Sequence, residues 1–168
     1  MLSGRLRKRG DMDRILADYW LPVKDGDPRA AALYRRHYSA YVYKDGRRSD
    51  PTYRNRFLIV GPGEKMVLMT VNCDALFVWR KFIDASGQSG VNCAVFRNES
   101  QVLSSELIRE AERHAWARWP GERLYTYVDP GAVKSTNPGY CFKASGWQRC
   151  GITKRRQLLI LEKYPATA

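Results

Sequence analysis

Residues 91–130 read VNCAVFRNESQVLSSELIREAERHAWARWPGERLYTYVDP, and this stretch decides the fold. An apolar run ending at Phe96 gives way to a polar loop, after which Ser104 and Ser105 open a helical pattern. Leu107, Ile108, Ala111 and Ala115 recur at spacings of three and four, while Glu106, Arg109, Glu110 and Arg113 take the opposite side. Pro120 and Gly121 stop the helix. Leu124 to Val128 then combines aromatic and β-branched residues and is closed by Asp129 and Pro130, the pattern of a strand. The stretch predicts strand, helix, strand, with the two strands parallel and joined by a right-handed crossover.

The first N–H groups of such a helix have no partner within it, and with the aligned peptide dipoles they favour an anion, most often phosphate. The residues leading in, Asn98 to Ser105, are small or polar enough to bring backbone close to a ligand. Serines at a helix start also serve as simple caps, so this feature alone has two readings. Further on, NPGYCFKASGW (137–147) predicts a short helix, with Asn137 as N-cap, Pro138 in the first helical position and Gly146 in the left-handed position that ends it.

A strand, a loop leading into a helix, a second strand, then Asn137 and an aromatic-x-x-x-Gly-aromatic ending (Phe142, Gly146, Trp147) resemble the acyl-CoA-binding half of the GNAT N-acyltransferases, over roughly residues 56–164. The glycine-rich loop of that family is replaced by residues 97–105, and the tyrosine before its Gly-aromatic pair by Phe142, with Tyr140 two residues earlier. Both departures speak against ordinary acetyl transfer. Five segments in order, RHYS (36–39), FRNE (96–99), LSSELI (103–108), YVDP (127–130) and NPGYCFK (137–143), resemble the Mom family of bacteriophage DNA-modification proteins, a divergent GNAT branch.

That resemblance implies an α/β chain with a mixed α+β sheet of GNAT-like acyl-CoA N-acyltransferase fold. The implied activity is addition of a carbamoylmethyl (acetamido) group to adenine N6 in phage or prophage DNA, protecting it from restriction. It further implies acetyl-CoA or a related acyl-CoA as cofactor. Phe96 would pair with the pantetheine, Asn98, Ser104 and Ser105 would meet the pyrophosphate, and Arg97 would hold a phosphate by a charge-assisted bond. Asn137 and Tyr140 would also face the cofactor, Tyr140 near the reacting carbonyl or sulfur.

Composition bears on the partner. At 168 residues, with 44% hydrophobic and 12% aromatic residues, the chain suits one domain with a real core. No run reaches the length of a membrane span and no signal-peptide pattern opens the sequence, so a soluble, cytoplasmic protein is expected. Lys and Arg number 29 against 17 Asp and Glu, a net charge of +12 and a pI near 9.8. A surplus of that size favours a polyanion, because each neutralised phosphate releases counterions. The charge clusters at Arg5–Arg9, Arg35–Arg36, Lys44–Arg56 and Lys154–Arg156, with Tyr38, Tyr41, Tyr43 and Tyr53 interleaved, a mixture suited to phosphate contact and base stacking. The Mom resemblance makes that polyanion double-stranded DNA, with the target adenine flipped out of the duplex or met single-stranded. A strand-rich edge offers one route to a homodimer. Cys73, Cys93, Cys141 and Cys150 lack zinc spacing and read as reduced, mostly buried thiols.

In chain order, residues 1–10 read as a basic, mobile arm and 11–168 as a single GNAT-like domain. Met12, Ile15, Leu16 and Tyr19 predict a helix over 11–20 that Pro22 ends. Asp27 and Pro28 start a second helix reaching about His37. Residues 44–54 read as a polar loop that closes over the target. Strands are predicted over 56–61, 65–72 and 75–83, as a meander feeding the β-α-β unit, and over 157–162 as the closing strand. The first strand of the resembled fold is not legible.

Adenine's exocyclic amine is a poor nucleophile, so an enzyme acting on it must hold it closely and manage a proton. His37 is either a base or metal ligand, or a capping group at a helix end. Tyr38 is placed to orient or stack on the base, and Asp129 to accept a proton or a hydrogen bond, its alternative being a plain turn residue. With Tyr140 these are the candidate catalytic residues. The spacing of His37, Tyr38 and Asp129 is no recognised metal signature, and metal dependence stays open. His114, beside core positions, reads as structural. Two competing classes remain beside the DNA-modifying transferase: a conventional acetyl-CoA-dependent N-acetyltransferase on a protein or small-molecule amine, and a GNAT-shaped DNA binder without catalysis.

Overall fold

The computed structural model describes residues 18–38, 40, 57–83, 85–133 and 136–167. The basic arm at 1–10, the loop at 44–54, and the clusters Arg5–Arg9 and Lys44–Arg56 with Tyr41, Tyr43 and Tyr53 lie outside these residues. Seven strands form one sheet: β1 (Trp20–Val23), β2 (Glu64–Thr70), β3 (Ala75–Lys81), β4 (Val91–Asn98), β5 (Leu124–Val128), β6 (Gln148–Ile152) and β7 (Leu159–Lys163). Helices α1 (Pro28–Arg35), α2 (Ser104–Arg118) and α3 (Tyr140–Ala144) complete the described elements. The strand order is β1-β2-β3-β4-β5-β7-β6, and every neighbouring pair is antiparallel except β4 and β5. The β-α-β unit thus supplies the parallel pair in an otherwise antiparallel sheet, the mixed α+β architecture expected from residues 91–130.

Alternation along the strands divides the core between two faces. Leu68, Phe77 and Trp79 pack with Leu107, Ile108, Ala111 and Ala115 of α2. Val67, Met69, Leu76 and Val78 pack on the other face with Ala30 and Leu33 of α1. A buried indole N–H needs an acceptor, and three of them anchor α2, two from the sheet and one from the residue before β6. Trp20 Nε1 donates to the Leu107 carbonyl at 2.8 Å, Trp79 Nε1 to the Ala111 carbonyl at 3.0 Å, and Trp147 Nε1 to Glu112 Oε1 at 2.8 Å. Among the described residues no helix is long and apolar enough to cross a membrane.

Several expectations are corrected. The helix predicted over 11–20 falls mostly outside the described residues, but Trp20, its last position, begins β1, with Pro22 opposite Leu68. Proline is tolerated there because β1 is an edge strand among the described residues, where an outward N–H bond is not needed. Residues 57–61 form no strand, since the Asp25 carboxylate takes the Ile59 and Val60 N–H groups at 2.8 and 3.3 Å in place of a neighbouring strand. Strand β6 was not anticipated at all. Helix α1 keeps its predicted start, with Asp27 Oδ1 accepting from the Arg29 N–H at 2.9 Å and Pro28 next, and ends at Arg35. Of the four cysteines only Cys93 is buried, Cys73 and Cys141 being partly exposed and Cys150 exposed, and all are free thiols.

Helix α3 begins at Tyr140 rather than at Pro138. Gly139 occupies the N-cap at φ 77°, and the Asn137 side chain accepts from Lys143 Nζ at 2.8 Å instead of capping. The other end is as expected: Gly146 has φ +92°, its N–H donates to the Lys143 carbonyl, and the Trp147 N–H to the Phe142 carbonyl, both at 3.0 Å. The two crossed bonds, with Phe142 packed against Trp147 at 4.9 Å between ring centroids, form a Schellman ending.

Candidate functional site

The site begins with one extra residue. In β4 the pairing with β3 runs Val78 with Val95 and then Trp79 with Cys93, so Ala94 has no opposite number and forms a bulge. A regular strand would set Cys93 and Phe96, three positions apart, on opposite faces. The bulge reverses the alternation: Val91, Cys93 and Phe96 join the α2 side, and Val95 the α1 side. It also turns β4 away from β5. Their parallel pairing covers Val91 with Leu124, Asn92 with Tyr125 and Cys93 with Thr126, and ends there. The Thr126 hydroxyl donates to the Cys93 carbonyl at 3.0 Å at this last contact, and beyond it the strands part.

A cavity of about 150 Å³ opens between them, lined by Cys93, Phe96, Thr126 and Tyr127, and by Tyr38 and Phe142 from outside the two strands. His37 also lines it, buried, with its ring stacked on Tyr38 at 4.4 Å and 29°. The turn that carries them is fixed by its backbone, the His37 N–H donating to the Tyr34 carbonyl at 2.9 Å and the Ala40 N–H to the His37 carbonyl at 3.1 Å. Part of the Tyr38 ring faces solvent, but its hydroxyl end is sheltered, and burial pushes the phenol up against a backbone hydrogen bond from Asp129 and the charge of Arg156. Tyr38 therefore stays protonated at neutral pH and can donate a hydrogen bond.

Asp129 follows β5 directly. Its Oδ1 accepts from the Gly131 N–H at 2.9 Å, and its carbonyl from the Ala132 and Val133 N–H groups at 3.2 and 3.1 Å. It is a turn residue, and its backbone also hydrogen-bonds the Tyr38 hydroxyl. Burial pushes the Cys93 and Cys141 thiols up, so neither lining cysteine is a nucleophile near neutral pH. Tyr127 shares a hydrogen bond with the Ser86 hydroxyl at 2.6 Å.

The loop into α2 is organised by Asn98. Its Nδ2 donates to the Val102 carbonyl at 2.8 Å and to Ser104 Oγ at 3.0 Å, while its Oδ1 accepts from the Ser100 N–H at 2.9 Å and the Ser100 hydroxyl at 2.6 Å. The N-cap is Leu103, which provides no side-chain cap. The Glu106 and Leu107 N–H groups turn back to its carbonyl, leaving those of Ser104 and Ser105 without a partner among the described residues. Ser105 accordingly does not cap; its carbonyl accepts from the Ser145 hydroxyl at 3.1 Å.

His37, Tyr38 and Phe96 thus line one cavity, and Asp129, outside that lining, reaches Tyr38 through a backbone hydrogen bond. Arg97 is engaged elsewhere: Nε donates to Glu99 Oε2 at 2.8 Å and Nη1 to the Arg36 carbonyl at 3.0 Å, and Arg36 forks onto the same carboxylate at 2.7 and 2.8 Å. Tyr140 is 64% exposed and does not line the cavity, and Asn137 is exposed and tied to Lys143. His114 is partly exposed and lies 3.5 Å from Asp18 Oδ1. Sequence reasoning missed Cys93, Thr126 and Tyr127 as lining residues. The strand alternation was legible, but the bulge that re-aims it was not. No family model, curated protein or solved structure matches the chain. Among the described residues, no group of three or more His, Cys, Asp or Glu is placed to hold a metal ion.

Proposed function

We propose that this chain is a Mom-type DNA-modifying transferase that adds a carbamoylmethyl group to adenine N6, acting in the cytoplasm of the host cell. The observation that carries the reading is the cavity between the parted parallel strands, lined by a stacked His37–Tyr38 pair, with Asp129 hydrogen-bonded through its backbone to Tyr38. A base turned out of the duplex needs an aromatic surface and a polar edge to read, and this rim has both. Tyr38, held protonated, donates to a ring nitrogen or to the incoming group's carbonyl, and Asp129 accepts from the amine as it loses its proton.

The finer fold assignment, a GNAT-like N-acyltransferase, is part of the same proposal. The bulge at Ala94 and the parted strands support it. The residues present fit an acyl-CoA at two places: the edge of β4 beyond Cys93, unpaired towards β5, suits the amides of a pantetheine arm, and the open N–H groups of Ser104 and Ser105 suit its phosphates. Such a cofactor, when bound, would supply a thioester-activated acyl group. The carbamoylmethyl product joins N6 to a methylene and carries an amide nitrogen, so its formation also needs a nitrogen source and chemistry at the methyl carbon that acyl transfer does not provide. Arg97 contributes to phosphate binding only by leaving Glu99.

Mass spectrometry of nucleosides from plasmid DNA, after expression of the protein beside an Asp129→Asn variant, tests the reading. Asparagine keeps the Oδ1 acceptor of the turn and removes the charge. A deoxyadenosine heavier by a carbamoylmethyl group with the wild type, absent with the variant at equal soluble yield, is the expected result. Unmodified DNA together with thiol release from acetyl-CoA in the presence of a free amine would replace it with the conventional acetyltransferase reading.

A further inference from the structure

The β6–β7 hairpin ends in a tip, residues 153–158, that forms no part of the cavity's lining. Two bonds close it: the Thr153 N–H donates to the Leu158 carbonyl at 2.9 Å, and the Leu158 N–H to Thr153 Oγ1 at 3.0 Å. Inside, Gln157 holds a φ of 54°, uncommon for a residue with a side chain, and its Nε2 donates to the Lys154 carbonyl at 3.0 Å. A strained turn of this kind persists where its surroundings over-determine it, and it clusters at functional positions. This one displays Lys154, Arg155 and Arg156 in succession, all exposed and none with an acidic partner among the described residues.

The tip's position follows from the register. Strand β7 runs antiparallel to β5 with Leu159 opposite Val128, so residues 153–158 project past the carboxyl end of β5. That is the end from which Asp129 emerges, and Val128 itself lines the cavity. The charge of Arg156 reaches the Tyr38 phenol at the mouth. Strand β6 is the sheet's edge among the described residues and is exposed along its length save for Gly151.

We infer that the Lys154–Arg156 tip grips the phosphate backbone of duplex DNA beside the cavity, holding the strand from which the target base turns in. The inference rests on the DNA-modifying reading above and adds the direction from which DNA approaches. Duplex DNA presents one negative charge per roughly 1.7 Å of axis, a density that a tight row of three cations can meet at neighbouring phosphates. Such contacts position the duplex without reading its sequence.

The test compares the wild type with a K154A/R155A/R156A variant and with a K24A/R113A/R118A control. The control removes equal charge from the β1 end of the molecule, where Lys24 and Arg118 line a common cavity and the Arg113 partner Glu110 accepts the Tyr19 N–H. Binding to a labelled duplex is followed by fluorescence anisotropy across about 50 to 200 mM salt, a range in which each lost phosphate contact lowers the salt slope by about 0.9. The tip variant is expected to lose roughly two to three units of slope, with an unchanged melting temperature, and the control to lose fewer than one. An unchanged slope in the tip variant, equal losses in the two variants, or no wild-type binding overturns the inference. Nucleoside analysis of the same proteins separates the two readings. A tip-dependent slope with unmodified DNA leaves the grip standing and removes the modification reading; modified DNA with a tip-independent slope does the reverse.

Discussion

Gly139 carries two constraints at once. It holds φ 77° at the start of α3, and a Cβ there would sit 2.6 Å from Leu161 Cδ1 and 3.4 Å from Val128 Cγ2. The left-handed conformation alone costs a side-chain-bearing residue about 1–2 kcal/mol, and displacing a buried leucine adds to it. Gly139→Ala is expected to lower stability by about 2–3 kcal/mol, read as an earlier urea midpoint at unchanged slope. Because Gly139 and Val128 both line the cavity, the same variant should lose product at temperatures where it remains folded. The sequence reveals such a residue only as a turn former, and with Asn137 as the cap the helix is expected two residues too early. His37, Tyr38 and Asp129 were legible as candidates because few residue types carry proton chemistry. Arg97 and Tyr140 were not legible, since the choice of partner is tertiary: the carboxylate that captures Arg97 is two residues away, but the Arg36 fork that fixes that carboxylate is 63 residues distant.

At the scale of elements, α3 closes one wall of the cavity and is held by a buried ion pair. Glu112 of α2, with its side chain 4% exposed, accepts from Lys163 Nζ of β7 at 2.8 and 3.1 Å and from the Trp147 indole at 2.8 Å. Lys163 Nζ also donates to the Ser145 carbonyl at 2.6 Å, just past the end of α3. Removing one partner leaves a buried carboxylate with the indole alone, a loss of about 3 kcal/mol or more. Lys163→Met is expected to destabilise by that amount. The double variant Glu112→Leu, Lys163→Met should recover part of it, and a double-mutant cycle on urea unfolding measures the coupling. None of this pairing shows in the sequence, where no spacing singles out Glu112; Glu110, set on the polar side of the helix by its spacing, is buried as well. Elements with strong periodicity were legible: α2 starts at Ser104 and β5 spans Leu124–Val128, as the spacing of apolar residues requires. Strand β6 escaped because an almost wholly exposed edge has no apolar alternation, and β1 because four residues containing a proline carry too little pattern.

Over the whole molecule, a net charge of +12 makes acid the direction of strain, because protonating carboxylates adds to self-repulsion. Two carboxyls mark where the loss begins. The Arg36 fork, helped by Arg97, holds Glu99 down to about 2 against a desolvation penalty, and the Arg29 side chain and N–H hold Asp27 down to about 2. A carboxyl whose folded value lies below its unfolded one stabilises fully above the unfolded value and loses that contribution as pH falls through the folded one. For Glu99 the window runs from 4.5 down to about 2. Glu110 runs the other way: burial raises it, so its contribution is complete below 4.5 and fades as pH rises through its folded value. A pH profile of the wild type alone would mix these signs, so the informative quantity is a difference. Glu99→Gln keeps the shape of the loop between β4 and α2 but cannot attract either arginine. The wild type should be the more stable of the two at pH 6, by a modest margin because the arginines are partly solvated. That gap in urea midpoint should hold down to about pH 4.5 and close towards about pH 2, where the wild-type carboxyl takes up its proton. A gap of constant size across that range would mean that the bracket acts by packing and not by charge.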